Sequence, residues 1–294
     1  MRVFVTGPSG HIGSAVVPQL LRAGHEVVGL ARSDTSADAV KALGANVFRG
    51  ALGDLDGLRD AAAGADAVIH LAFDHAAVAA GDLAGAASAD LAVVQTFGQA
   101  LAGAGKTSIG VGVTRSGSTD SDEALSANPR SEIARTVASL AEDGVRSVNV
   151  GIPPVVHSSR DQRGFVPMLI GIARGTGVSG YVGDGNNRWP AVHALDLGTL
   201  FRLALEDAPI GSQLPAAAEE GIPVREIAET IGRHLGIPTA SIPAERAADH
   251  FGTFAPFISL DLTLSGAHSR NLLGWEPIHA GLLADLEQGH YFTT

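Results

Sequence analysis

Apolar and polar positions alternate along the first half of the chain in two rhythms that take turns. Short, nearly continuous apolar runs are "RVFVT" (2–6), "HEVVGLA" (25–31), "ANVFRG" (45–50), "ADAVIHLA" (65–72), "TSIGVGV" (107–113) and "RSVNVGI" (146–152). Strands this apolar bury both faces, which predicts a parallel sheet held between two layers of helices. Helical spacing fills the intervals at 11–24, 36–44 and 54–64 and in a long Ala-rich stretch at about 82–102. A further helix opens in "LSANPRSEIAR" (125–135), with Asn128 as cap and Pro129 in the first turn, and ends near Gly144. Gly24, Gly44 and Gly64 each stand where a helix should end and are expected as left-handed caps. The pattern is that of an α/β fold, a doubly wound parallel sheet over residues 1–152.

After Pro153–Pro154 the pattern loosens. Residues 164–175, 194–207 and 224–236 keep helical spacing, and the remainder is loop and short strand rich in Pro and Gly. A small C-terminal lobe facing a substrate is expected over 153–294, with a segment around 182–206 packing back on the sheet.

Composition narrows the chemistry. The net charge of −11 argues against nucleic acid or an anionic membrane surface as a main partner. With no cysteine, disulfides, thiolate catalysis and Cys-zinc sites are excluded, and no metal site is expected. No apolar run is long enough to span a bilayer, and "MRVFVTG" runs straight into a strand, so a cytoplasmic chain without signal peptide is expected.

The first strand and first helix are joined by "VTGPSGHIG", which places Gly7, Gly10 and Gly13 at the first βα turn. Gly7 permits the tight turn, Gly10 lets backbone approach a pyrophosphate, and Gly13 lets the helix pack close to the strand. The helix N-terminus then offers N–H groups and partial positive charge to that anion. Gly7, Ser9, Gly10, His11, Ile12 and Gly13 are the expected cradle of a dinucleotide, and the sheet is accordingly of Rossmann type. The second strand ends in "GLARSD". A carboxylate at this point binds the 2′-hydroxyl of NAD, whereas a guanidinium accommodates the 2′-phosphate of NADP. Arg32 and Ser33 come first, able to fork onto a phosphate and to donate to it, with Asp34 next. NADP(H) is expected over NAD(H).

With this spacing the chain resembles the extended short-chain dehydrogenases/reductases, of the NAD-dependent epimerase/dehydratase type. Gly-x-x-Gly-x-x-Gly at 7–13 matches that family. "RGALGDLDGL" (49–58) resembles its adenine-side loop, which implies that Ala51 and Leu52 line the adenine. "VIHLAF" (68–73) resembles its fourth strand, implying Leu71, Ala72 and Phe73 along the diphosphate and ribose. "GIPPVVH" (151–157) resembles its Pro-containing turn, implying backbone at Pro153, Val155 and Val156 near the carboxamide. "VGDGNNRWPAVHALDLGTLFRLALE" (182–206) resembles its C-terminal signature. The resemblance also implies a homodimer formed through the helices after strands four and five, and the small residues of 82–102 would permit close packing there.

The departure is at the centre of the chemistry. The family usually carries Tyr-x-x-x-Lys after strand five, with a Ser upstream; the Tyr donates a proton, and the Lys binds the nicotinamide ribose. Here the only tyrosines are Tyr181 and Tyr291 and the only lysines Lys41 and Lys106. Aligned on "GVRSVNV", the Lys position falls on or near Arg130, the Tyr position on Ser126, and the upstream Ser near Gly112 to Thr114. Arg130 can hold the ribose through its guanidinium, but a serine hydroxyl is a poor acid. Thr114, Ser116, His75, His157, His193 and Tyr181 are the remaining candidates for an oxyanion stabiliser or proton source, histidine being the side chain that titrates in the useful range. His193 reads rather as a tie between lobe and sheet. Phe73, Phe165, Met168 and Trp189, with His75, His157 and Tyr181, are candidates for the pocket of a small-molecule substrate.

Three readings follow: an NADP(H)-dependent reductase of a carbonyl or imine with a non-standard proton donor, an NADPH-binding sensor without catalysis, and a lyase or isomerase without net redox change. The C-terminal signature and the aromatic pocket residues favour the first, and the missing Tyr-Lys pair favours the second. An iminium carries its own positive charge and needs only hydride, so its reduction could proceed without the tyrosine.

Overall fold

The first strand, β1 (Arg2–Thr6), is buried from Val3 to Thr6 and lies inside a seven-stranded sheet in the computed structural model, which describes residues 1–112 and 130–293. Along the chain follow β2 (Glu26–Ala31), β3 (Asn46–Arg49), β4 (Ala67–His70), β5 (Thr107–Gly112) and β6 (Arg146–Gly151). Their order in space is β3-β2-β1-β4-β5-β6, every pairing parallel. Side chains of one strand go alternately to two cores. Val3, Val5, Ala67 and Ile69 join one cluster, Phe4 and Val68 the other.

Helices α1 (Gly13–Arg22), α2 (Asp34–Ala42), α3 (Leu55–Ala63), α4 (His75–Ala79), α5 (Leu83–Leu101) and α6 (Arg130–Ser139) connect these strands. Leu58 and Ala62 of α3 pack with Val93, Phe97 and Leu101 of α5 against Phe4. Val16, Val17 and Leu20 of α1 pack on the opposite face. Each fully buried side chain of this size contributes about 2 kcal/mol through removal from water.

Gly24 and Gly44 have φ of 82° and 89° and end their helices left-handed, as expected. Gly64 does not: its φ is −82°. The helix closes there through a tight turn, with the Ala65 N–H bonded to Ala62 O, and leads directly into β4 without a reversal that would require positive φ.

The rest of the chain builds the lobe and also returns to the core. A three-stranded sheet pairs β7 (Val155–His157), β9 (Arg188–His193) and β11 (Glu219–Pro223), and a two-stranded one pairs β8 (Ser179–Val182) with β12 (Thr239–Ile242). The seventh strand of the large sheet, β10 (Ser212–Pro215), pairs parallel with β6. Ahead of it in the chain, the helix Ala194–Asp207 buries Leu197, Leu200 and Phe201 in the same core as α1. No helix among the described residues is long and apolar enough to cross a membrane.

Candidate active site

The strand order reverses between β1 and β4, so a crevice opens at their C-terminal ends, where Thr6 lies level with His70. Gly7 leaves β1 with φ of 66°, and a Cβ there would stand 2.9 Å from Ala72 N. At Gly13 a Cβ would stand 2.1 Å from Gly7 O, so only glycine lets α1 start this close to the loop. No side chain caps the N-terminus of α1, which leaves its partial positive charge toward the crevice.

A buried polar chain fixes the far wall of that crevice. The Thr6 Oγ1 accepts from Leu71 N and Ala72 N, each at 3.1 Å, and lies 2.6 Å from His70 Nδ1. With two bonds accepted, its own proton goes to Nδ1, so the His70 proton sits on Nε2 and is donated to Asp90 Oδ1 at 2.8 Å. All three side chains are buried. The backbone at Leu71 and Ala72, where the family's dinucleotide is expected to run, is thereby held in place. His70 and Asp90 were not among the sequence candidates, though two signals pointed to them. His70 is a polar residue in a buried parallel strand, and Asp90 is the only acid within the apolar helix α5.

Three sequence candidates meet at the crevice mouth. The Arg130 guanidinium lies over the Phe73 ring, 4.3 Å from its centroid, and the His75 ring meets Phe73 edge-on at 5.5 Å. Burial lowers the Arg130 pKa, while the Asp90 carboxylate works the other way and favours the charged form. Burial, then the Arg130 charge, lowers the His75 imidazole below its ordinary value; Arg163 acts in the same sense and Asp74 against it. Asp74 caps α4 by accepting from Ala76 N and Ala77 N, so His75 is set at the head of a short helix. Thr114, Ser116 and Ser126 lie outside the described residues.

The other candidates stand elsewhere. His157 is fully buried, its Nδ1 2.9 Å from Asp285 Oδ2, and its ring lies beside His193 at 5.3 Å. His193 stacks on His279 at 4.7 Å, and His279 Nδ1 lies 2.7 Å from Asp196 Oδ1. Burial, then the neighbouring His157 and His279, lower the His193 pKa to about 4. These histidines form a seam between the lobe and the large sheet. Val155 is buried and level with Ala191, while Val156 packs against the main core. Pro153 is buried.

His11 reaches from the glycine loop toward the lobe. Its Nε2 lies 2.7 Å from Ser158 Oγ and its Nδ1 3.8 Å from Asp161 Oδ1. Tyr291 OH accepts from Ser158 N and donates to Asp161 Oδ2 at 3.2 Å. Burial, then the Asp161 carboxylate, push the Tyr291 hydroxyl well above the ordinary phenol range. Tyr181 lies under the Arg225 guanidinium at 5.7 Å, on the rim of the lobe core. Lys41 pairs with Asp38, and Lys106 donates to Ala63 O. Both tyrosines and both lysines of the chain thus have partners of their own. Phe165 and Trp189 pack together at 5.8 Å and with Phe254 and Phe257, inside the lobe core, and Met168 is partly exposed on the same helix as Phe165.

Arg32, expected at the adenosine end of a dinucleotide, is exposed just past β2. The Ser33 hydroxyl caps α2, accepting from Ser36 N and donating to Ser36 Oγ, so it is used locally. Arg49, at the end of β3 and level with Ala31, donates to Ser33 O at 2.6 Å and pairs with Asp34. Ala51 is exposed and Leu52 half-buried against the core under β2 and β3.

Comparison with known proteins agrees with this geometry. The NAD dependent epimerase/dehydratase family model matches residues 3–106. An uncharacterized protein of Schizosaccharomyces pombe is 43% identical over 299 residues, covering 99% of this chain and 100% of that one. The 2′-dehydrokanamycin reductase of Streptomyces kanamyceticus is 30% identical over 263 residues, 85% of this chain and 71% of that one. Among solved structures, the UDP-glucose 4-epimerase of Thermus thermophilus, in complex with NAD, superposes with a TM-score of 0.73 at 20% identity, over 99% of both chains. The glycine loop at the strand-order reversal and the 30% identity to a relative over 71% of its length lead to one assignment: the chain belongs to the NAD-dependent epimerase/dehydratase family of extended short-chain dehydrogenases/reductases.

Proposed function

We propose that the protein is an NADP(H)-dependent oxidoreductase that reduces the C=O or C=N bond of a small organic substrate without a tyrosine acid. The observation that carries this is the Arg130–Phe73–His75 cluster at the mouth of the crevice, with every tyrosine and lysine of the chain holding a partner of its own. Two relatives bear names of the same reaction type, the dehydrokanamycin reductase and a quinoline-oxide ketoreductase of Stigmatella aurantiaca.

The dihydronicotinamide, when bound, supplies hydride. Arg130 takes the place the family gives to lysine: its guanidinium binds the nicotinamide ribose and sets a positive charge beside the reacting centre. Phe73 keeps that guanidinium flat and shields one of its faces from water. His75, held uncharged at neutral pH by burial and Arg130, donates an N–H hydrogen bond to the oxygen that becomes negative as hydride adds, and that oxygen takes its proton from solvent water. For an iminium no proton is required, and the same residues then serve only to orient.

The test is NADPH oxidation by the purified protein against a panel of ketones, aldehydes and cyclic imines, repeated with His75→Ala. Turnover that drops about a hundredfold in the variant for ketones but not for iminium ions supports this reading. NADPH binding without turnover of any substrate favours the sensor reading, to which the absent Tyr-x-x-x-Lys lends weight.

A further inference from the structure

We infer that Arg49 completes the 2′-phosphate site of NADP(H) together with Arg32, and that the Asp34 carboxylate serves to aim Arg49 rather than to hold a ribose hydroxyl. The inference rests on the proposal that the crevice binds a nicotinamide dinucleotide, and it names the residue that sets which one.

Three observations on the β2–α2 connection lead there. The carboxylate that would mark an NAD site is present, as Asp34, but it is already paired with the Arg49 guanidinium. Arg49 reaches this spot from a neighbouring strand, where its backbone is level with Ala31 and the Gly50 N–H donates to Ala31 O at 3.2 Å. Its Nη1 donates to Ser33 O at 2.6 Å, so the guanidinium is fixed across the start of α2 by two contacts.

Stability does not account for this arrangement. The Arg49 and Asp34 side chains are 52% and 92% exposed, and a surface pair of this kind contributes little to folding. What the pair does provide is orientation. A guanidinium has five N–H donors in a fixed plane; two are used here, which leaves three for an anion. Arg32 brings a second guanidinium to the same turn. Arg32, Arg49 and Asp34 together carry one net positive charge, within a chain of net charge −11. A dianionic phosphate on the adenosine ribose fits this local sign, and a bare ribose hydroxyl gains nothing from it. Sequence spacing alone gave Arg32 but not Arg49, because the two are brought together by strand pairing.

The experiment is titration of the full-length protein and of Arg49→Ala, Arg49→Lys and Asp34→Asn with NADPH and NADH by fluorescence, with 2′,5′-ADP and 5′-AMP as competitors. The expected result is a wild type that prefers NADPH and 2′,5′-ADP. Arg49→Ala should lose about ten- to a hundredfold in NADPH affinity with NADH affinity unchanged. Arg49→Lys should fall between, since an ammonium keeps the charge without the planar fork. Equal loss of both dinucleotides in Arg49→Ala would assign the residue a merely structural role and overturn the inference. So would an unchanged preference. A wild type that prefers NADH, with NADH affinity lost in Asp34→Asn, would return Asp34 to the ribose and overturn it as well. Binding of neither dinucleotide by the wild type would overturn the cofactor reading itself, an outcome distinct from the other three.

Discussion

The Arg130 guanidinium stacks over the Phe73 ring at 4.3 Å and so ties the start of α6 to the segment that follows β4. A cation over an aromatic face contributes about 0.5–2 kcal/mol, more as water is excluded. Phe73→Leu should therefore weaken cofactor binding modestly, whereas Arg130→Ala should lower kcat/KM by at least about a hundredfold through loss of charge at the reacting centre. Initial-rate kinetics of NADPH oxidation on the best substrate of a screen will separate the two. An Arg130→Ala enzyme with unchanged kcat/KM would remove this residue from the chemistry.

Asp90 receives the His70 proton and faces Arg130 from within the apolar helix α5. Asp90→Ala leaves a buried imidazole N–H without an acceptor and should destabilise the fold by about 2–3 kcal/mol. Asp90→Asn keeps an acceptor and should cost less. Urea unfolding of both variants measures the difference, and equal stabilities would mean that the His70 bond is not the reason for the acid.

Neither tyrosine is expected to act as the acid. Tyr291→Phe removes the hydroxyl shared by Ser158 N and Asp161, and should cost about 1 kcal/mol of stability. Its kcat should stay within about threefold of wild type, since the hydroxyl holds Ser158 and Asp161 in position and gives no proton to substrate. The same holds for Tyr181→Phe, whose ring stays under Arg225. A loss of two orders of magnitude in either variant would make that tyrosine the proton donor.

The histidine seam makes stability depend on pH. His193 is lowered to about 4 in the folded protein, against an ordinary value of 6.5. Between these values the unfolded chain binds the extra proton, so the seam's contribution is complete above about pH 6.5 and is lost as pH falls toward 4. His11 and His75 are lowered too and add in the same direction. Thermal unfolding at pH 5 and pH 7 should show lower stability at pH 5, and His193→Gln should flatten part of that slope.

Much of the fold was legible because its strands are buried on both faces. Arg2–Thr6 and Ala194–Asp207 fall where the pattern placed them. The sheets of the lobe were not legible, since β7, β8, β9, β11 and β12 are short and show no sustained period. Gly64 misled because a glycine after a helix signals a left-handed cap only when the chain must turn back. At the site, Phe73, His75 and Arg130 could be named one by one from motif position. Their meeting, like that of His70 with Asp90 or Arg49 with Asp34, depends on how a helix is rotated over the sheet or which strands pair. That information is not local in sequence.

The bond from His11 to Ser158 means that the glycine loop and the lobe are not independent bodies. Ser158 continues through Tyr291 to the last described turn of the chain, and Asp161 closes the circuit back to His11. If the loop binds a dinucleotide and the lobe the substrate, as proposed, these bonds would pass a displacement of the loop to the lobe, and thermodynamic reciprocity would require the substrate to return the same coupling free energy to the dinucleotide. The two affinities would then be coupled, and a substitution at His11 that breaks the bond to Ser158 should reduce that coupling free energy.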